Sequence, residues 1–175
     1  LLVKKGSPVR KGELLAESDG FISAPVHSPV TGTVTKIAKT AHLSGVPKTV
    51  IEIAVSEDGD PLFQEPLDYN KATKEELLQR IKDAGIVGMG GAAFPAFVKL
   101  SPPPGKKIEK LIINGAECEP YLTRDYRLML EYTDQLIGGI EILMKILGVD
   151  CVIGIEDNKP EAVKALRDKL NGRKD

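Results

Sequence analysis

The sequence has no strong excess of charge of either sign and no long apolar run. Its 24 lysines and arginines are balanced by 25 aspartates and glutamates, for a formal net charge of −1 at pH 7. Without a basic patch, a nucleic-acid-binding role is not indicated. No stretch approaches the roughly 20 apolar residues that cross a bilayer, and no signal peptide is evident. A hydrophobic fraction of 42% is nevertheless enough for a packed core, which argues against a disordered chain.

Cysteine and histidine are equally scarce. Cys118 and Cys151 are far apart and form no C-x-x-C motif, and the histidines are His27 and His42. Zinc and iron–sulfur sites need several thiolates or imidazoles at close spacing. We therefore assign no metal site to the chain. We expect the two cysteines to be buried small hydrophobic residues rather than a disulfide.

Residues 1–56 have the pattern of an all-β domain. Short β-branched runs, such as 31–37 and 50–55, are separated by turn residues at close intervals. Short strands at such spacing predict a small barrel or sandwich. Residues 57–72 contain glycine and prolines that interrupt any periodicity, and they predict a linker.

Helix and strand patterns alternate over residues 73–175. Thr73 and Glu76 form a capping box ahead of an apolar helical stripe that Gly85 ends. Four further elements are predicted: strands at 108–114 and 151–155, and helices at 132–147 and 160–170. This order predicts an α/β domain with a parallel, Rossmann-like sheet. Because a doubly wound half normally has three strands, we expect this domain to be truncated at its C-terminus.

The most unusual segment is the glycine loop, residues 85–95, which Lys99 follows. Its small side chains allow the backbone to approach a ligand closely, and glycine permits positive φ. Converging N–H groups, a following helix N-terminus and the Lys99 ammonium suit a phosphate. The loop lacks the G-K-[ST] of a P-loop, and it follows a helix where the dinucleotide fingerprint follows a strand. The alternative is a tight turn between packed elements.

A second candidate site follows the predicted strand at 108–114. Asn114, Glu117 and Glu119 lie where open α/β sheets bind their ligands. Acids two residues apart point to the same side of an extended chain, where they can accept hydrogen bonds from ligand hydroxyl or amide groups. Glu156 occupies the corresponding place after the second strand. The alternatives are a solvated acidic loop and, for Glu156, an ordinary polar strand end.

Together, GMGGAAFP at 88–95 with Lys99 and NGAECEPYLTRDYR at 114–127 resemble the C subunit of the Rnf electron-transport complex. That family is related to the flavin-binding subunit of respiratory complex I. The resemblance implies that the glycine loop binds FMN, that Lys99 helps hold its phosphate, and that Phe94 stacks on a nicotinamide nucleotide. The implied cofactor-binding residues are Gly88, Gly90, Gly91, Ala92, Phe94, Lys99, Asn114, Glu117, Glu119 and Glu156.

The chain departs from the family pattern at two positions. Ala93 stands where glycine is common, and its methyl group is expected either to crowd the flavin or to be tolerated. Ala116 stands where the complex I relatives carry an acid. No catalytic residue is assigned, because hydride transfer to a flavin requires no protein acid or nucleophile.

Residues 1–56 resemble a barrel-sandwich hybrid domain, the fold of biotinyl and lipoyl carriers. Carriers present a lysine at a hairpin tip, whereas residues 18–23 read SDGFIS and contain none. The resemblance therefore implies a carrier-like fold without the carrier function, with a role in packing or docking.

The family resemblance implies a protein that oxidises NADH through FMN and passes electrons to 4Fe-4S clusters expected in a missing C-terminal region. It also implies other subunits of a membrane complex as partners, and a cytoplasmic, peripheral location on the inner face of the cell membrane. Three alternatives remain at this point: a cobalamin-reductase-like flavoprotein, a non-catalytic scaffold module, and a biotin or lipoyl carrier.

Overall fold

The computed structural model describes residues 1–56, 59–89 and 91–170. Contacts divide the chain into two units. The first unit comprises Leu1–Ala72 and Leu78–Lys99, and the second comprises Thr73–Leu77 and Leu100–Asp175. Each unit has its own cluster of buried apolar side chains.

The first unit begins with short antiparallel strands. These are β1 (Pro8–Val9), β2 (Leu14–Ala16), β3 (Val26–His27), β4 (Gly32–Thr40) and β5 (Lys48–Val55). Strands β1, β4 and β5 form one sheet in that order, and β2 pairs with β3. Val9, Leu15 and Val34 are buried where the strands meet, and Ile37, Ile51 and Ile53 pack on them. Helical structure is absent over the described part of residues 1–56, so the all-β prediction is confirmed.

Helix α1 (Lys74–Asp83) begins at the predicted capping box. The backbone N–H of Thr73 donates to Glu76 Oε2 at 2.7 Å, and the N–H of Glu76 donates to Thr73 Oγ1 at 3.2 Å. The backbone N–H of Thr73, followed by the Thr73 hydroxyl, lowers the pKa of the Glu76 carboxyl below its usual value. The helix ends before Gly85, whose φ of +66° reverses the chain as predicted. One further turn, α2 (Ala96–Lys99), follows the glycine loop.

The second unit contains a parallel strand pair and three helices. They are β6 (Leu111–Asn114), α3 (Arg124–Glu131), α4 (Thr133–Leu147), β7 (Cys151–Gly154) and α5 (Pro160–Leu170). The register runs from Leu111 opposite Cys151 to Asn114 opposite Gly154, which confirms the parallel prediction. A core of four buried side chains lies on the helices: Met129, Ile137, Ala162 and Leu166. Two described strands form this sheet, so a doubly wound order stays a prediction.

Three details of the sequence interpretation are wrong. Helix α3 is not predicted, because it is short and its N-cap residue, Thr123, makes no side-chain capping bond. Strand β6 begins at Leu111 rather than 108, since the charged residues before it break the apolar run. Cys118 is exposed, whereas Cys151 is partly buried and burial raises its thiol pKa.

Within the described residues, no helix has the length and apolar character needed to cross a membrane. The same residues contain no group of three or more His, Cys, Asp or Glu side chains arranged to hold a metal ion.

Candidate functional site

The candidate residues fall in both units of the fold. Five of them belong to the first unit: Gly88, Gly91, Ala92, Phe94 and Lys99. Four belong to the second unit: Asn114, Glu117, Glu119 and Glu156. Gly90 lies outside the described residues. The predicted residues therefore form two groups, one in each unit.

Backbone hydrogen bonds close the base of the glycine loop. The N–H of Gly88 donates to the carbonyl of Phe94 at 2.8 Å, and the N–H of Ala96 donates to the carbonyl of Ile86 at 2.9 Å. Val87 and Pro95 form an isolated antiparallel bridge between these two bonds. The loop is thus a short hairpin whose base is fixed in register, while Gly91 and Ala92 at its tip are exposed.

The tip of the hairpin uses left-handed backbone. Gly91 has a φ of +95° and Ala93 a φ of +48°. Glycine adopts such angles without strain, whereas an L-residue with a Cβ does so at a cost of roughly 1–2 kcal/mol. This geometry explains why glycine suits the position of Ala93, independently of any crowding of a ligand. The sequence alone raised only the question of crowding.

Lys99 extends back over the base of the hairpin. Its Nζ lies 6.0 Å from the centre of the Phe94 ring. A methyl group at Gly88 would lie 3.0 Å from that Nζ, a close contact that a small shift of the flexible Lys99 side chain would relieve. Among the described residues, no carboxylate forms an ion pair with Lys99. An exposed ammonium without such a partner, beside a backbone that carries no side chain at Gly88, suits the binding of a phosphate group.

The dipole contribution predicted for the helix after the loop is small. Helix α2 contains only the four residues Ala96–Lys99, and a macrodipole requires several aligned turns. The Lys99 charge and the open backbone at Gly88 are therefore the features of the first unit that fit an anion.

The second candidate segment is held by the parallel strand pair. The N–H of Gly115 donates to the carbonyl of Gly154 at 2.8 Å, and a methyl group at Gly115 would approach that oxygen to 3.0 Å. Because β6 and β7 are parallel, the loops after Asn114 and after Gly154 leave the same edge of the sheet. Asn114 and Glu156 belong to these two loops, as predicted. The Asn114 side chain accepts the N–H of Ala116 at 3.1 Å, which shapes the turn.

Glu117 caps helix α3. Its carboxylate accepts the backbone N–H of Asp125 at 2.8 Å and that of Tyr126 at 3.3 Å. Thr123, at the N-cap position, makes no side-chain capping bond. Glu117 therefore satisfies two of the free N–H groups of this helix from a preceding loop. Glu119 is exposed, so the two acids of the E-x-E motif have different environments.

Sequence reasoning missed the side chains that connect α3 to α5. The hydroxyl of Tyr126 donates to Glu161 Oε2 at 3.1 Å, and the Lys159 ammonium lies 5.0 Å from the centre of the Tyr126 ring. Burial, followed by the bond to Glu161, raises the pKa of Tyr126. A tyrosine and an acid 35 positions apart carry no local pattern, so only the fold brings them together.

Comparisons with known proteins identify the families that the chain resembles. The family described as the RnfC barrel-sandwich hybrid domain matches residues 1–60. The family described as the Nuo51 FMN-binding domain matches residues 81–175, which is more than half of the chain. The second match covers both the glycine loop and the strand pair with its acidic segment.

Curated relatives are also similar in sequence, and all three described here are C subunits. That of the proton-translocating ferredoxin:NAD(+) oxidoreductase complex of Clostridium ljungdahlii is 47% identical over 99% of this chain. That of the Na(+)-translocating ferredoxin:NAD(+) oxidoreductase complex of Acetobacterium woodii is 40% identical over 94%. That of the ion-translocating oxidoreductase complex of Haemophilus influenzae is 43% identical over 100%. The chain spans 38%, 38% and 22% of the length of these three relatives, respectively.

Proposed function

The chain belongs to the Nuo51 FMN-binding domain family, and we therefore propose that its glycine loop binds FMN. Its RnfC barrel-sandwich hybrid domain and its relatives also identify it as an Rnf-type C subunit. The protein would then be the part of an electron-transport oxidoreductase in which flavin and nicotinamide nucleotide exchange a hydride.

The observation that carries the proposal is the position of Lys99. Its ammonium lies over the glycine backbone at Gly88 and has no carboxylate partner among the residues described. Ammonium groups bind phosphate oxygens strongly because both the donor and the acceptor are charged. We assign to Lys99 the flavin phosphate, and to Gly88, Gly91 and Ala92 the close backbone approach to it.

We place the nicotinamide nucleotide at the edge formed by the loops after β6 and β7. The names of two relatives include NAD(+), which supports such a substrate. Asn114, Glu119 and Glu156 supply hydrogen-bond acceptors for hydroxyl or amide groups. The stacking role of Phe94 stays a prediction. Glu117 acts less directly, because its carboxylate caps α3 and so fixes the shape of the acidic loop.

The flavin supplies the chemistry when bound, since FMN accepts a hydride and releases electrons one at a time. This chain's residues bind and orient the two nucleotides. We propose that the onward carriers are 4Fe-4S clusters outside residues 1–175. The relatives' names pair ferredoxin with NAD(+), which supports electron exchange between a nicotinamide nucleotide and an iron–sulfur carrier.

We further propose that the protein works peripherally on the cytoplasmic face of a membrane complex. The support is that the relatives belong to ion-translocating complexes, which require a membrane. The other subunits of such a complex are the expected partners.

A flavin titration of the full-length protein, followed by anaerobic addition of NADH, tests the proposal. We expect FMN to bind and its visible absorbance to bleach when NADH is added. Binding without bleaching would retain the flavin site and reject NADH as its reductant. Absence of FMN binding would reject the proposal and favour the scaffold alternative.

A further inference from the structure

The loop that joins β2 to β3, residues 17–25, packs against the segment that carries the glycine loop. We call residues 17–25 the tip loop. In carrier domains of this fold the corresponding hairpin presents a modified lysine, but here the tip loop contains Phe21 and no lysine. Both the tip loop and residues 78–99 belong to the first unit.

The first contact is between two aromatic rings. The Phe21 and Phe97 rings have centroids 5.7 Å apart and an interplanar angle of 86°, an edge-to-face arrangement. Phe97 is 6% exposed, and the Lys82 ammonium lies 5.4 Å from its ring centre. Phe97 is thus held between the tip loop and α1. Because Phe97 and Lys99 share the single turn of α2, fixing Phe97 also fixes the backbone that carries Lys99.

The second contact lies at the other end of the glycine loop. A methyl group at Gly85 would come within 2.5 Å of the Pro25 carbonyl oxygen. Gly85 also has a φ of +66°, so this close approach requires glycine on two counts. Gly85 and Phe97 each lie two residues outside the hairpin base formed by Val87 and Pro95. The tip loop therefore contacts the chain on both sides of the hairpin.

We propose that the tip loop positions the flavin-phosphate hairpin, and that Phe21 is the positioning residue, acting through Phe97 on Lys99. The inference rests on the proposed function, that this hairpin binds FMN. It gives the carrier-like domain a role that needs no lysine. The domain packs against the phosphate-binding segment and positions it.

The size of the expected effect follows from the exposure of Phe21. Its side chain remains 64% exposed, so the contact with Phe97 is a partial one. An edge-to-face aromatic pair of ordinary strength corresponds to about a two- to tenfold change in affinity. The variant Phe21→Ala should weaken FMN binding by this factor. Phe21→Tyr keeps the ring and should bind FMN as the unchanged protein does.

The matched control is Ile22→Ala. Ile22 is adjacent, apolar and 66% exposed, so it loses a similar surface without the ring contact. We expect its FMN affinity to be unchanged.

Riboflavin, which lacks the phosphate, gives a further control. If Phe21 acts through Lys99, Phe21→Ala weakens FMN binding and leaves riboflavin binding as it was, whereas general disruption of the fold would weaken both.

Amide hydrogen exchange without flavin provides a readout that does not depend on the proposed function. We expect Phe21→Ala to accelerate exchange of the Gly88 and Ala96 amides, which close the hairpin, and to leave the Val34 amide in the β-domain core unchanged. Unchanged exchange at Gly88 and Ala96 would overturn the positioning role. So would equal FMN affinity of Phe21→Ala and the unchanged protein. Failure of the unchanged protein to bind FMN would reject the proposed function alone, and the exchange rates would still decide the inference.

Discussion

At the scale of single residues, Ala93 shows how a substitution in a recognisable motif acquires a physical meaning. The sequence identifies it as a departure from a glycine-rich pattern, and the structure gives it a φ of +48°. The strain belongs to the backbone of this chain. It is independent of whether a ligand is bound.

The variant Ala93→Gly should therefore raise the free energy of unfolding, by up to about 1 kcal/mol. Relief of the left-handed strain stabilises the folded state by more than the greater conformational freedom of glycine stabilises the unfolded chain. Ala92→Gly is the matched control, because Ala92 has no positive φ. This substitution relieves no strain, and the greater freedom of the unfolded chain should only lower the free energy of unfolding. Urea unfolding measures both. Equal effects of the two substitutions would contradict the assignment of strain to Ala93.

Glu117 is a residue whose motif was predicted and whose contacts were not. The E-x-E spacing suggests two equivalent acids, but only Glu117 bonds to the N-terminus of α3. No local signal could reveal this, because the capping carboxylate lies eight and nine residues before the N–H groups that it accepts. The capping role became visible only once the loop was folded.

We expect Glu117→Ala to lower the free energy of unfolding by about 1 kcal/mol, the usual cost of losing a helix cap. Glu119→Ala, its exposed neighbour in the same motif, should change it little. Thermal unfolding in the absence of flavin provides the comparison. If Glu119→Ala destabilised the protein as much as Glu117→Ala, the capping account would be wrong.

At the scale of elements, local signals predicted what local physics controls. Helix α1 begins at Lys74, directly after Thr73, because the capping box satisfies free N–H groups there, and α5 begins at the predicted Pro160. Helix α3 escaped prediction because its N-terminus depends on Glu117 from outside the helix. Elements stabilised by their own sequence were predictable, and an element stabilised from a distance was not.

The capping box also predicts a pH dependence. The folded pKa of Glu76 is lowered, so its stabilising effect is complete at neutral pH and is lost as the pH falls through that lowered pKa. The unchanged protein should therefore exceed Glu76→Gln in stability at pH 7. The difference should shrink once the pH falls below the ordinary carboxyl value of 4.5. Urea unfolding as a function of pH measures it, and a difference that stayed constant or grew in acid would contradict the assignment.

At the scale of the whole molecule, the sequence predicted the two kinds of fold, the order of most elements and the two candidate segments. It did not predict that the glycine loop groups with the β-domain, because that grouping depends on contacts between distant residues such as Phe21 and Phe97. Composition and periodicity indicate single elements, whereas tertiary packing determines which part of the fold a binding loop packs against.

Lys99 and the glycine backbone are proposed here to bind the phosphate of FMN. The most direct test compares the affinities for FMN and riboflavin in the full-length protein, in Lys99→Ala and in Lys5→Ala, an exposed-lysine control. We expect FMN to bind more tightly than riboflavin, and Lys99→Ala to weaken FMN binding by about tenfold or more while riboflavin binding is unchanged. Lys5→Ala should retain the full preference for FMN. An undiminished preference for FMN in Lys99→Ala would contradict the account.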